Sequence, residues 1–179
     1  MSSARWEHLF SDFEAQWAEE KIQALEAEAV QMLELERSRH VLADRLRAHR
    51  GRCVRLRVQA DLRLELQLVG VGSDWCAGVA AGAGYVVPLR SLLTAEGLGP
   101  GVREESSAAQ RRLGLPSVLR MLAEAAEPVV LLGAEDELGR GRILTVGQDH
   151  LDLRSGSGGT VSVPLSGICA VRGSADFAL

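Results

Sequence analysis

Apolar and polar positions change their period twice along this chain. Residues 5–37 contain neither Gly nor Pro, and Trp6, Phe10, Phe13 and Trp17 recur there at spacings of four, three and four. That spacing predicts one stripe of an amphipathic helix. A second run, Ile22, Leu25, Ala29 and Met32 or Leu33, keeps a similar spacing after a phase shift near Ala18, with Glu residues between its members. A helix of about 33 residues reaches roughly 50 Å at the standard rise. Its stripe needs a cover: the rest of the chain, a second copy or a partner.

A short helix is then expected over His40–His49, with Val41, Leu42 and Leu46 on one face and Gly51 as its stop. From there the period falls to two. Val54, Leu56 and Val58 alternate with Arg55 and Arg57, and Leu62, Leu64, Leu66 and Leu68 alternate with Arg63, Glu65 and Gln67. This predicts a half-buried antiparallel hairpin. A third strand near Trp75–Val79, a fourth over Tyr85–Leu89 and a short segment at Leu92 complete a unit of five strands.

The unit occurs twice. Val71-Gly72-Ser73-Asp74-Trp75 corresponds to Val146-Gly147-Gln148-Asp149-His150 at an offset of 75, and Val87-Pro88-Leu89 to Val163-Pro164-Leu165 at 76. Upstream, Val41-Leu42 pairs with Val118-Leu119 at 77. Fixed-offset similarity of this kind marks a duplicated supersecondary unit. In the second copy a helix opens at Pro116 and stops at Pro128, and strands are expected over Val129–Leu132, Gly139–Val146, Leu151–Arg154, Thr160–Pro164 and Ile168–Val171. Gly139 and Gly141 stand where the first copy has Leu64 and Leu66, which would let that strand bend and close a small barrel. The divisions are an arm at 1–39, a first helix-plus-barrel unit at 40–96, a linker at 97–114, a second unit at 115–173 and a tail at 174–179. The expected class is α+β: a long N-terminal helix and two tandem small Sm-like or SH3-like β-barrels, each preceded by a short helix.

A helix followed by five bent strands, with Gly in the second and an x-Gly-x-Asp turn before the third, resembles the Sm-like fold of RNA-binding rings over 40–96 and 115–173. In that family the aspartate of the third-strand turn supports a nucleotide-binding loop. Asp74 and Asp149 match it. The family's following Asn is absent, and Arg172-Gly173, similar to its Arg-Gly pair, lies beyond the expected fifth strand. The PRC-type barrel and other SH3-like barrels fit the same strand pattern. The chain also looks like an uncharacterised family from GC-rich bacteria, through Trp6-Glu7-His8-Leu9-Phe10, the block Leu42-Ala43-Asp44-Arg45-Leu46-Arg47, and Asp74-Trp75.

Charge adds an asymmetry. Across 179 residues the net charge is −4, but it divides into −5 for 1–39, +3 for 40–99 and −2 for the remainder. Arg45, Arg47, Arg50, Arg52, Arg55 and Arg57 fall within 13 residues and form the candidate binding cluster, since such a group can neutralise phosphates or an acidic surface. Trp6, Phe10, Phe13 and Trp17 are the candidate helix interface. The three cysteines, Cys53, Cys76 and Cys169, are odd in number and far apart, and are expected as buried thiols rather than disulfides or zinc ligands. His8, His40, His49 and His150 show no metal-ligand spacing, and Ser91 and Ser166 lack a nucleophile elbow.

No cofactor, metal site or catalytic residue is implied. There is no basic leader followed by an apolar run and no membrane-length apolar segment, so a cytoplasmic protein without membrane contact is expected. The function expected is that of a non-enzymatic adaptor or scaffold, binding a protein partner or a second copy through its helix and tandem barrels. The alternative is an Sm-like RNA-binding protein that uses the Arg45–Arg57 cluster.

Overall fold

The computed structural model describes residues 40–59, 61–105, 107, 113–156 and 158–175, together with Lys21, Leu25, Glu28, Gln31 and Met32. The chain divides into two compact units, Met1–His40 and Val41–Leu179. In the first, Lys21, Leu25, Glu28, Gln31 and Met32 are helical and exposed, and His40 is half-buried and outside the helix. Trp6, Phe10, Phe13 and Trp17 lie outside the described residues.

The second unit is mostly β, with two short helices. Its strands are β1 (Cys53–Val58), β2 (Leu62–Val71), β3 (Trp75–Ala80), β4 (Ala83–Pro88), β5 (Leu92–Glu96), β6 (Pro128–Leu132), β7 (Glu137–Val146), β8 (His150–Ser155), β9 (Thr160–Pro164) and β10 (Ala170–Gly173). Helix α1 covers Leu42–Arg47 and α2 covers Leu115–Ala125. Every strand pair is antiparallel, and one hydrogen-bonded order, β5-β1-β2-β3-β4-β10-β6-β7-β8-β9, contains all ten.

The expected barrels do not close. Closure of the first repeat would set β5 against β4, but β4 instead pairs with β10, the fifth strand of the second repeat, with Val86 opposite Val171 and Tyr85 opposite Arg172. The ladder therefore runs on from one repeat into the other as an open sheet. Gly139 and Gly141 serve a different purpose from barrel closure. A Cβ at Gly141 would lie 1.8 Å from the Arg154 carbonyl oxygen, and one at Gly139 would lie 2.9 Å from Leu153 Cδ2. In the first repeat the leucine sits on β2 instead, where Leu66 covers Gly78 on β3 at the same 2.9 Å. Glycine on β7 thus leaves room for a leucine on β8, and glycine on β3 for a leucine on β2, as a close-packed interior requires.

The duplication is explicit in the backbone. Gly72 N–H donates to Trp75 O and Gly147 N–H to His150 O, both at 2.9 Å, while Leu89 N–H reaches Asp74 O at 2.8 Å and Leu165 N–H reaches Asp149 O at 2.7 Å. Register shifts fall at Leu68/Gly70 in β2 and at Ile143/Thr145 in β7, again 75 apart. Pro88 and Pro164 share φ −60°, with ψ 133° and 132°, and each leads into a three-residue 3₁₀ turn.

Two apolar cores flank the centre of this sheet. Leu46, Val54, Leu56, Leu66, Cys76 and Val87 belong to one; Trp75, Val86, Leu119, Leu131, Leu153 and Ile168 belong to the other. Successive residues on β3 and β4 face different cores, so these strands are buried on both sides and their sequences run apolar without alternation. Strand β8 alternates because only one side is covered, and β9 buries Val163 alone.

Helix α1 departs from expectation. Ala43, Leu46 and Arg47 are its buried residues, whereas Val41 and Leu42 are exposed at 57% and 39%. Ala43 and Leu46 match the buried Leu119 and Leu122 of α2 at an offset of 76, so the pairing of Val41-Leu42 with Val118-Leu119 at 77 is off by one. Six residues make under two turns, leaving room for one narrow buried face, and Arg47 takes part of it.

Candidate functional site

The arginine cluster disperses in three dimensions. Arg47 is buried, its Nη1 paired with Asp44, its Nη2 donating to Gly72 O at 3.0 Å and its Nε 3.8 Å from Glu105. It pins α1 to the turn before β3. Arg45 and Arg50 are exposed but direct guanidinium groups to the carbonyls of Gly99 and Val69 at 3.4 and 3.0 Å. Arg52, Arg55 and Arg57 are exposed, the last two projecting from the polar face of β1.

Hairpin register brings a residue outside the sequence cluster into it. Arg63 on β2 stands directly opposite Arg57, and on the other side of Arg57 stands Thr94 of β5. Two positions along, Arg55 lies between Glu65 and Glu96 and reaches Glu96 at 3.6 Å. Together these side chains border a groove of about 440 Å³. Folding the alternating segments 54–58 and 62–68 back on each other about residue 60 would have found Arg63, because the residues opposite one another then sum to 120.

Asp74 and Asp149, the two turn positions, do different work. Asp74 Oδ1 accepts the Leu115 N–H at 2.8 Å and so ties the start of α2 to the first repeat. Trp75, beside it, is buried and donates from Nε1 to Leu113 O at 2.9 Å. A Cβ on Gly72 would lie 2.2 Å from Trp75 Nε1, which is why the turn carries Gly at that place. In the second repeat the exposed His150 ring covers Gly147 and bonds Asp149 at 2.7 Å. The hydrogen bond to His150 holds the Asp149 carboxyl below its usual range, and the same bond raises the imidazole. Asp152, on the same face, is lowered by hydrogen bonds from Ser162 and Thr145 at 2.6 and 2.8 Å.

Arg172 and Gly173 lie within β10 and not beyond the last strand, with Arg172 opposite Val130 and Tyr85. Cys76 and Cys169 are buried, and burial pushes the Cys76 thiol up to about 12. Cys53 is exposed, contrary to expectation, because it begins β1 on the strand's outward face. His49 is buried in a structural role: its Nε2 accepts the Gly99 N–H at 2.8 Å, so Nδ1 carries the proton and donates to Arg45 O at 2.7 Å. Ser91 donates to Ile168 O, while Ser166 is exposed in the matching turn.

Among the described residues no three His, Cys, Asp or Glu side chains converge as a metal site would require, and no helix is long and apolar enough to cross a membrane. No family model matches the sequence, and no curated protein matches it. The features with chemistry available are thus the basic groove over β1, β2 and β5 and the two outer edges of the sheet.

Proposed function

We propose that the protein is a non-enzymatic cytoplasmic adaptor that binds a protein partner by strand addition. One observation carries this reading: β5 and β9 end the ten-stranded order, and neither has a further strand beside it among the described residues. An outer strand offers a row of backbone donors and acceptors, and an extended peptide that completes the row gains main-chain hydrogen bonds while side-chain pockets supply selectivity. Leu93 on β5 and Val161 on β9 are exposed at 54% and 44%, giving each edge one apolar anchor. The N-terminal arm, with its Trp and Phe stripe, is a second handle for a partner or a second copy of the chain.

Capture with the whole chain as bait, followed by ribonuclease treatment and mass spectrometry, tests the proposal. A defined protein should stay bound to the wild type and be lost from a Leu93→Lys, Val161→Lys variant, since lysine on an edge opposes strand addition. Both sites are exposed, so stability should change by only about 0.5 kcal/mol. If the captured material is RNA alone, RNA binding through the exposed Arg52, Arg55 and Arg57 becomes the better reading. Among the described residues that alternative lacks a stacking platform, because Trp75 and Tyr85 are both buried.

A further inference from the structure

The charges over β1, β2 and β5 fall into two rows that differ in one respect. Across the strands, Glu65, Arg55 and Glu96 make a row in which a cation sits between two anions. The next row, Arg63, Arg57 and Thr94, has two cations directly opposite each other and no anion. Among the described residues neither Arg57 nor Arg63 has an ion-pair partner. Like charges directly opposed across a ladder destabilise it. The fold bears that cost beside an open groove and next to an outer strand.

The second repeat serves as an internal comparison. Leu132 there occupies the place of Arg57, and the buried Ala170 that of Thr94. Strand β10 is flanked on both sides, by β4 and β6, whereas β5 has only β1. The arginine pair therefore accompanies the repeat whose fifth strand is left open.

We infer that Arg57 and Arg63 form a carboxylate-binding site for an acidic, extended segment of the protein partner laid antiparallel along β5. This rests on the adaptor reading above. A residue on an added strand opposite Thr94 would stand about 10 Å from β1, two strand spacings away. That gap is spanned jointly by Arg57 and a glutamate side chain, and Arg63, one strand spacing farther, meets the same carboxylate with both side chains extended, so that the two guanidinium groups offer it paired N–H donors. Thr94 completes the row with a hydroxyl. A nucleic-acid backbone suits the groove less well, because its successive phosphates would meet Glu65 and Glu96 in the adjoining row, and among the described residues no exposed aromatic ring lines the groove to stack a base.

Fluorescence anisotropy of the full chain with three labelled probes tests the inference: an alternating Glu-Val peptide, its Gln-Val analogue and an oligouridylate, each titrated at several salt concentrations. The Glu-Val peptide should bind best. Arg57→Gln with Arg63→Gln should weaken it about tenfold or more, while Arg55→Gln should change it less than about threefold. Thermal unfolding of the double variant should show a stability equal to or above the wild type, since a repulsive pair has been removed. Equal binding of the Gln-Val peptide, retained in the double variant and lost in Leu93→Lys, would overturn the carboxylate site and leave strand addition standing. Failure of both peptides to bind would overturn the site together with strand addition at β5. Tight oligouridylate binding that depends on Arg57 and Arg63 would replace both with the nucleic-acid reading.

Discussion

The hairpins β3–β4 and β8–β9 are copies of one another that occupy opposite situations. The first is at the centre of the sheet, with a core on each side, and the second is at its end, with one. Both keep the Gly turn, the Asp before the strand and the Pro that ends it, and both keep the same backbone hydrogen bonds. What changed is the side chain at each position that lost or gained a cover. Val86 became Ser162, Tyr85 became Val161 and Trp75 became His150. Backbone geometry was set by the turn residues, and burial then decided composition strand by strand.

The largest difference between the two hairpins is expected at Trp75 and His150. Trp75→Ala should cost roughly 3–5 kcal/mol, through lost burial, a cavity and the lost hydrogen bond to the Leu113 carbonyl. His150→Ala should stay within about 0.5 kcal/mol. Urea unfolding of the two variants measures the difference, and equal losses would mean that the outer hairpin is covered after all.

A smaller effect is expected at the seam between the repeats. From the 3₁₀ turn after β4, Arg90 Nη2 donates to the carbonyls of Leu165 and Ile168, the latter at 3.3 Å, and Ser91 Oγ reaches Ile168 O at 3.4 Å. The matching turn after β9 has Ser166 and Gly167 instead, neither of which reaches that far. Arg90→Ala should therefore lower stability by about 1–2 kcal/mol, as hydrogen bonds from a charged donor do. Ser166→Ala should leave the same unfolding curve unmoved. The difference sharpens the assignment of β4 to a sealed seam and β9 to an open edge.

The smallest effect is electrostatic. His150 is raised above its ordinary 6.5 by Asp149, and Asp149 is lowered below 3.8 by His150. The imidazole's share of the stabilisation is whole below pH 6.5 and disappears as pH rises through the folded value. The carboxylate's share is whole above pH 3.8 and disappears as pH falls through its folded value. The pair thus contributes most between those limits, and little in total because both groups face water. In Asp149→Asn, the His150 ring protons followed by NMR should titrate at lower pH than in wild type.

Strand existence was legible in the sequence because alternation over 54–58 and 62–68 follows directly from the two-residue period of a strand. The repeat was legible because a Gly under a ring and a Pro at a strand end are local requirements. The candidate groove was half legible. Arg55 and Arg57 stand in one alternating run, but Arg63 joins them only through hairpin register, and the proximity of Arg47 to them in sequence was misleading because one helical turn carries it into the interior.

The chain's own residues thus determined which segments extend, where they turn and that one unit is written twice, since each of these depends on neighbours a few positions away. Whether two repeats close separately or share a ladder was decided by tertiary structure alone. Backbone N–H and C=O groups on an outer strand are the same whichever partner they meet, so nothing local distinguishes β5 from β10 as the companion of β4. That choice rests on burying Val86 and Val171 in the core they share with Trp75 and Leu119, about 1.5–3 kcal/mol for each such side chain, and on Arg90 reaching across a seam that exists only once the sheet has formed.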